Sequence, residues 1–169
     1  MSRDISRRVV LGIDPGVNGA VAVLTEYGSS VVDIPTFWVK KGKGRRQVYD
    51  LPAFRSLLAT HDPTMVENVI VEDVHAMPGQ GVTSMFSMGY GVGVIHGLLT
   101  ALNLPFELVT PQRWKKEVLA GFVSKDKKAA HVMAGRLFPH IDLGRRSDQG
   151  RAEALLIAEY GRRARGDHD

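Results

Sequence analysis

The sequence predicts one α/β domain, in which helices flank a mixed sheet made of an antiparallel N-terminal meander and parallel strands. Three observations predict this fold class. The chain is 169 residues long, about the length of one domain. It begins with short apolar segments separated by turn residues, and further along strand-like and helical segments alternate. Hydrophobic residues make up 44% and charged residues 24%, which is typical of a globular chain.

The meander is predicted from the first 34 residues. Residues 9–14 are mostly apolar, end in Asp14 and precede a turn over 15–19, so they indicate a buried strand. Residues 20–24 and 30–34 are two further strand candidates with a turn between them.

A helix is predicted between the meander and the next strand. Asp50 can cap it, and it runs to about His61 with Phe54 among the residues that face the core. Residues 69–72 then form a strand that ends in Glu72. Because a helix separates the two strands, they are expected to pair in parallel through a crossover.

A long helix is predicted over residues 83–103, and it carries Gly89, Gly93 and Gly97 on one face. Each glycine costs about 1 kcal/mol of helix propensity, so close approach of another backbone is the best reason for them. That backbone could belong to the same chain or to a second copy. Residues 106–109 form a last strand, and helices that begin at Pro111 and cover 125–138 and 150–163 follow. Residues 1–8 and 164–169 are expected to be flexible tails of a single domain, 1–169.

The charge of the chain points to a polyanionic partner. The net charge is +4, the isoelectric point is about 9.5, and the basic residues are clustered. The segment 37–47 is rich in glycine, lysine and arginine and predicts a loop that is mobile when nothing is bound. A merely solvated surface is the alternative interpretation of these clusters. Two apolar side chains among the candidate nucleic-acid contacts, Met85 and Phe86, could stack on exposed bases or pack at a helix start. The candidate contacts are Lys40, Lys41, Lys43, Arg45, Arg46, Gln80, Met85, Phe86, Lys115, Lys116, Lys125, Lys127, Lys128 and Arg151.

The sequence also bears on the compartment. There is no cysteine, so disulfides and thiolate zinc sites are excluded. The charged N-terminus resembles no signal peptide, and no uninterrupted apolar run approaches the ~20 residues of a membrane span. We therefore expect a cytoplasmic protein that has no membrane partner.

Two acids mark a candidate site. Asp14 and Glu72 both end predicted buried strands, where open α/β sheets place their ligands. A buried acid is costly unless it is paired or binds a metal. Either acid alone is more often structural, but two at the same edge strengthen the functional interpretation.

Two more acids lie at the last helix. Glu153 shares a helix face with Leu156, Ile157 and Tyr160, so it should point inward. Asp148 precedes that helix and is either an N-cap or a further ligand. Three or four carboxylates without cysteine form an oxygen cage that suits Mg²⁺, with Mn²⁺ as a substitute. Two such ions support phosphodiester hydrolysis.

Three motifs together resemble the RuvC family of Holliday-junction resolvases and its phage and organellar relatives. They are the Gly-Ile-Asp-Pro-Gly at 12–16, Val71-Glu72, and Asp148 followed by the helix 151–158, and the resemblance covers roughly residues 9–160. It implies a ribonuclease-H-like fold, a homodimer, two divalent ions and paired nicks in branched DNA, chiefly four-way junctions.

The resemblance also assigns residues. Asp14, Glu72 and Glu153 match the first, second and last acids of the family, and Asp148 is assigned as a further catalytic and metal-binding residue. Two departures are visible. The last acid is glutamate where many members have aspartate, and the third ligand usually lies three residues before it, where this chain has Gly150.

Other functions remain open. A ribonuclease-H-like nuclease that acts on other branched DNA or on RNA–DNA hybrids would share the fold. A relative of sugar or acetate kinases would also begin with a strand and an Asp-x-Gly turn, but no second glycine-rich phosphate turn is evident. A DNA-binding module without catalysis is disfavoured because buried acids without metal would destabilise it.

Overall fold

The computed structural model describes residues 9–121 and 128–166, and its central sheet has five strands. The strands along the chain are β1 Val9–Asp14, β2 Ala20–Thr25, β3 Gly28–Asp33, β4 Thr36–Lys41, β5 Gly44–Tyr49, β6 Val66–Glu72 and β7 Phe106–Val109. The five-stranded sheet has the order β3-β2-β1-β6-β7. β1, β2 and β3 are antiparallel neighbours, whereas β6 is parallel to both β1 and β7. The predicted mixed sheet is confirmed.

Within the described residues, five helices lie around this sheet: α1 Leu51–Leu58, α2 Val82–Ala101, α3 Pro111–Val118, α4 Ala129–Leu137 and α5 Gln149–Gly166. One hydrophobic cluster joins the sheet to α3, α4 and α5, and a second joins it to α1 and α2. α5 lies very close to β1, because a Cβ at Gly12 would overlap the main chain of Ala154 and Ala158. This contact holds α5 directly against the strand that ends in Asp14.

The start of α1 follows the predicted capping. The Asp50 carboxylate accepts a hydrogen bond from the Ala53 amide at 3.1 Å and caps α1. Thr110 caps α3, with Pro111 in the first turn. α1 ends at Leu58, three residues earlier than expected, whereas α5 extends to Gly166 and includes residues assigned to a flexible tail. Residues 1–8 and 167–169, the rest of the expected tails, lie outside the described residues.

The segment predicted as a mobile loop is a β-hairpin, so that prediction was wrong. β4 and β5 pair in antiparallel register from Thr36 opposite Tyr49 to Lys41 opposite Gly44. Gly42 has a φ of 56°, which suits the two-residue turn between the strands. The Gln47 amide nitrogen donates to Thr36 Oγ1 at 2.6 Å and to the Val17 carbonyl at 3.2 Å, which ties the hairpin to the turn after β1.

Helix α2 leaves its glycine face open. A Cβ placed at Gly89, Gly93 or Gly97 would meet no atom of the described chain within 4 Å, so close packing against the same chain, one of the two alternatives, does not occur there among the described residues. On the opposite side of the helix, Ile95 and Leu99 are fully buried in the core. By length and composition alone α2 could cross a membrane, which is weak evidence because core helices can share both features.

Candidate metal centre

Three carboxylates converge at one edge of the sheet. Asp14 ends β1, Glu72 ends β6, and Glu153 lies in the first turns of α5. One oxygen from each lies within 4.8 Å of the others. β1 and β6 are parallel neighbours with Ile13 opposite Val71, so their terminal acids emerge side by side. α5 crosses this edge and adds the third carboxylate.

The electrostatics of this group favour neutralisation. Burial raises the pKa of Asp14 well above its usual value, and the charges of Glu153 and Glu72 raise it further, while Lys115 opposes them. Burial also raises the pKa of Glu72. A hydrogen bond from the Trp114 indole and the charge of Lys115 each lower this pKa and offset part of the effect of burial. The three acids therefore repel one another in a partly desolvated space, where a divalent cation would be stabilised.

Two residues of α3 support the carboxylates. The fully buried Trp114 donates its indole N–H to Glu72 Oε1 at 2.8 Å. Lys115 Nζ lies 3.6 Å from Glu153 Oε1 and 5.0 Å from the centre of the Trp114 ring. Glu153 Oε1 also accepts a hydrogen bond from Gln149 at 2.9 Å. Our sequence analysis missed Trp114: its spacing to Val118 would have indicated a buried face, but nothing local identified Glu72 as its partner.

Gly150 explains one departure from the family pattern. A Cβ at this position would lie 3.0 Å from Asp14 Oδ2, so the position does face the metal centre. The same Cβ would overlap the carbonyl oxygen of Asn18 in the turn that follows β1. A ligand side chain could not be placed there unless that turn moved, because the main chain of the turn fills the space.

Asp148 lies elsewhere and is not in the group of three carboxylates found among the described residues. Its buried carboxylate accepts hydrogen bonds from the Arg145 amide at 2.8 Å and from Arg145 Nε at 2.7 Å. Burial raises the pKa of Asp148, but the Arg145 hydrogen bonds outweigh that effect and the net pKa is lowered. These contacts make Asp148 an anchor for the start of α5, and they do not support its interpretation as a metal ligand.

Arg151, which we expected to contact DNA, interacts with the same Asp148 carboxylate. Arg151 Nε lies 2.6 Å from Asp33 Oδ1 and 3.7 Å from Asp148 Oδ1. Arg145 also reaches Asp33, at 3.1 Å. These side chains form a network that connects the end of β3 to the start of α5. The Arg151 guanidinium is therefore already paired with carboxylates of the protein itself.

Two basic grooves flank the metal centre. The first, about 990 Å³, is lined by Asp14 and by Lys41, Arg45 and Arg46 of the hairpin. The second, about 950 Å³, is lined by Glu153 with Lys115, Lys128 and Arg146. In the described part of the chain, no acidic side chain forms an ion pair with the hairpin cations Lys40, Lys41, Lys43, Arg45 and Arg46.

The remaining candidate contacts are distributed as follows. Lys116 is exposed on α3, and Gln80 accepts a hydrogen bond from the Met77 amide in the loop before α2. Phe86 is 74% exposed, so it does not pack in the core, whereas Met85 is partly buried. Lys125 and Lys127 lie outside the described residues.

Comparison with known proteins identifies the fold. No protein-family model matches the chain. A curated relative, the chloroplastic Holliday junction resolvase MOC1 of Chlamydomonas reinhardtii, is 33% identical over 92 residues, which is 53% of this chain and 10% of that protein. The chain therefore spans about a tenth of the length of this relative.

Solved structures match over nearly the whole chain. Thermus thermophilus RuvC in complex with a Holliday junction substrate has a TM-score of 0.55 at 17% identity, covering 93% of this chain and 96% of that one. The yeast mitochondrial Holliday junction resolvase Ydc2 has a TM-score of 0.51 at 16% identity, covering 99% and 83%. The chain has a ribonuclease-H-like fold, as predicted. The resemblance to RuvC resolvases that the three motifs indicated is confirmed.

Proposed function

We propose that this chain is a divalent-metal-dependent endonuclease that cuts four-way DNA junctions. The observation that carries the proposal is the convergence of Asp14, Glu72 and Glu153 within 4.8 Å, in a RuvC-like fold and between two basic grooves. A likeness of fold does not determine activity, so the argument depends on the chemistry of the site.

The three carboxylates fit Mg²⁺ or Mn²⁺. All three donors are hard oxygens. Burial first, and then the charges of the neighbouring carboxylates, raise the pKa values of Asp14 and Glu72, so a cation that neutralises these carboxylates would be stabilised there. A pair of bound ions would supply activation of water and stabilisation of the leaving oxygen in phosphodiester hydrolysis. The protein orients its own groups for this: the Trp114 indole holds Glu72, and Lys115 moderates the charge of Glu153.

The two basic grooves support a DNA backbone that crosses the carboxylates. Lys41, Arg45 and Arg46 would meet phosphates on one side, and Lys115 and Lys128 on the other. Cations without an acidic partner can release counterions from DNA, so the hairpin is the better candidate for most of the binding energy. The structure of T. thermophilus RuvC with a junction supports a four-way substrate over simple duplex DNA.

We further propose a homodimer built on α2. The face with Gly89, Gly93 and Gly97 is open, and a Cβ there would meet nothing of the described chain within 4 Å, so a second backbone could approach closely. A symmetric pair of sites would suit the approximate two-fold symmetry of a four-way junction and would allow paired nicks. Analytical ultracentrifugation should find a dimer. A monomer both free and on DNA would exclude paired nicking by this route.

The activity is tested on a labelled mobile four-way junction with Mg²⁺. Wild-type protein should cut it, whereas Asp14→Asn, Glu72→Gln and Glu153→Gln should each abolish cutting and retain binding. Ca²⁺ should support binding without cutting, because it tolerates looser coordination than Mg²⁺. An RNA–DNA hybrid is the comparison substrate, and preferential cutting of the hybrid would favour a different ribonuclease-H-like activity. Full activity of Asp14→Asn would exclude the metal–carboxylate mechanism.

A further inference from the structure

The turn between β1 and β2 borders the metal centre directly. It spans residues 15–19 and follows Asp14. The Gly19 amide donates to the Gly16 carbonyl at 3.0 Å, and a Cβ at Gly19 would overlap the Asp14 carbonyl oxygen. On another side of the turn, the Asn18 carbonyl fills the space beside Gly150. The turn and Asp14 are therefore packed as one piece, and a shift of the turn would move Asp14.

Gln47 of β5 holds this turn from the hairpin. Its amide nitrogen donates to the Val17 carbonyl at 3.2 Å and to Thr36 Oγ1 at 2.6 Å. These two bonds use both N–H groups of the amide, so they fix the orientation of the side chain. Gln47 is half-buried, which limits competition from water for the same groups. One side chain thus connects the turn to both strands of the hairpin.

The base of the hairpin is itself fixed to the core. Tyr49, the last residue of β5, is 7% exposed, and its ring stacks on Phe54 with the ring centres 6.3 Å apart. The Tyr49 hydroxyl lies against Gly91 of α2, where a Cβ would overlap it. The Asp50 amide, directly after β5, donates to the Pro35 carbonyl at 2.9 Å. The hairpin can therefore act as a firm support for the turn.

Asp14 needs such a support because its carboxylate has no other one. The indole of Trp114 holds Glu72, and Gln149 donates to Glu153. Among the described residues, no side chain or amide donates a hydrogen bond to the Asp14 carboxylate. The two other carboxylates lie within 4.8 Å and repel it. Asp14 is thus held in place through its main chain, which means through the turn.

We propose that Gln47 is a positioning residue of the metal centre. By holding the Val17 carbonyl it fixes the turn, and the turn keeps Asp14 close to the two other carboxylates before a metal binds. The inference rests on the proposed function and adds a link between its two parts, because the hairpin that carries Gln47 also carries the cations for DNA. DNA on the hairpin and a metal at Asp14 then favour the same position of the turn, and this coupling is reciprocal.

The test compares wild-type protein with Gln47→Met, which has a similar length and shape but no N–H donor. Mn²⁺ is titrated into the free protein, and the unbound ion is measured by electron paramagnetic resonance well below the unfolding temperature of both proteins. The variant should bind Mn²⁺ about threefold to tenfold more weakly, the loss expected for one hydrogen bond. In chelator it should bind a labelled four-way junction within about twofold of wild type, since the hairpin cations remain.

The same variant tests the link between metal and DNA. Junction binding is measured by fluorescence anisotropy over a range of Ca²⁺ concentrations. Gln47→Met should need about threefold to tenfold more Ca²⁺ than wild type to reach the same junction affinity. Excess Ca²⁺ should restore that affinity, and excess Mg²⁺ should restore the rate of cutting, because the metal-binding carboxylates are all still present. A lower maximal rate at saturating Mg²⁺ with an unchanged Mg²⁺ requirement would contradict a role in metal binding.

Two control variants make the result specific. Gln112→Met makes the same chemical change at an exposed position in the first turn of α3, and it should behave as wild type. Phe37→Ala weakens the cross-strand pair with Val48 in the hairpin and should leave Mn²⁺ affinity unchanged. An unchanged Mn²⁺ affinity in Gln47→Met, whatever its stability in urea, would overturn the proposal. An equal loss in Phe37→Ala would also overturn it, because any loosening of the hairpin would then suffice.

Cutting of the junction in Mg²⁺ is scored with the same proteins and separates this proposal from the proposed function. If wild-type protein binds Mn²⁺ and cuts, and Gln47→Met matches it in both, only the role of Gln47 is refuted. If wild-type protein binds Mn²⁺ without cutting and the variant still loses Mn²⁺ affinity, the proposed function fails and the positioning role stands. If wild-type protein binds no Mn²⁺, both are wrong. If the variant loses junction binding in chelator and retains Mn²⁺ affinity, Gln47 contacts DNA and the positioning role is wrong.

Discussion

Replacing Asp14 by asparagine should make the metal-free protein more stable while it abolishes cutting. Asp14 is the carboxylate whose pKa is raised most clearly, first by burial and then by the charges of Glu153 and Glu72. Asparagine has nearly the same shape and carries no charge. The substitution therefore relieves a repulsion that the folded protein tolerates only because a cation is to be bound there.

The separation of the carboxylates sets the magnitude. At the 4.8 Å limit of their separation, with an effective dielectric constant of about 20, two like unit charges repel by about 3.5 kcal/mol. Asp14 has two such neighbours, but the substitution also removes the attraction of Asp14 to Lys115. We therefore expect a net gain of about 1–3 kcal/mol in the free energy of unfolding at pH 8, a fraction of the two full repulsions.

The gain should depend on pH. Since the folded-state pKa of Asp14 is above the usual 3.8, the folded protein holds a proton that the unfolded chain releases in the interval between the two values. The metal-free wild type then loses stability as pH rises through that interval, and below it the penalty is absent. Asparagine does not titrate, so the advantage of Asp14→Asn should grow from about pH 4 upward.

Urea unfolding in a chelator, from pH 5 to pH 8.5, measures this advantage directly. Asp142→Asn, a change in the exposed loop before α5, is the matched control and should leave stability unchanged. Excess Mg²⁺ should reverse the order, since it stabilises the wild type by binding the folded state and has a weaker site in the variant. A variant that is no more stable than wild type in chelator at pH 8 would refute the argument from repulsion.

Three other predictions follow from the surroundings of the centre. Trp114→Phe retains most of the buried ring but removes the hydrogen-bond donor to Glu72, so the Mg²⁺ concentration for half-maximal cutting should rise about threefold to tenfold. This defect should be smaller at higher pH, because a proton then competes less with Mg²⁺ for the Glu72 carboxylate. Gly150→Ala should destabilise the protein by about 1–3 kcal/mol in urea unfolding, because its Cβ would overlap the Asn18 carbonyl. The control Gly135→Ala lies on an open helix face and should stabilise the protein by up to about 1 kcal/mol. Neutralising Lys41, Arg45 and Arg46 together should reduce the salt dependence of junction binding by up to about 3 in log–log slope, and an unchanged slope would remove these residues from the interface.

The central pair of acids could be predicted because their placement follows from local patterns. Residues 9–14 and 69–72 are apolar runs that each end in an acid, and a helix between them forces parallel pairing. Parallel neighbours end at the same edge of a sheet, so Asp14 and Glu72 had to lie together. Glu153 followed from helical periodicity, which placed it on the face that packs against the sheet.

The hairpin could not be predicted in the same way because its polar strands lack a buried face. Most residues of β4 and β5 are exposed or half-exposed, so neither strand shows the alternation that indicates a half-buried sheet. Its pairing depends on a two-residue turn at Gly42 and on the contacts of Gln47 with Thr36 and Val17. The high content of lysine and arginine indicated a nucleic-acid contact but not the backbone that carries it.

The role of Asp148 depended on partners that are remote in sequence. As a residue just before a helix and five positions before Glu153, it could be a cap or a ligand, and no local pattern separates these two roles. Its binding to Arg145, and the link from Arg145 and Arg151 to Asp33 at the end of β3, become visible only when the sheet is assembled. Gly150 lies between this network and Asp14, and its main chain is held against the turn at Asn18. The start of α5 is thus fixed on one side by charge pairs and on the other by close packing. A rigid helix start of this kind can hold Glu153 near two like-charged carboxylates, since the repulsion would otherwise move the helix away from the sheet.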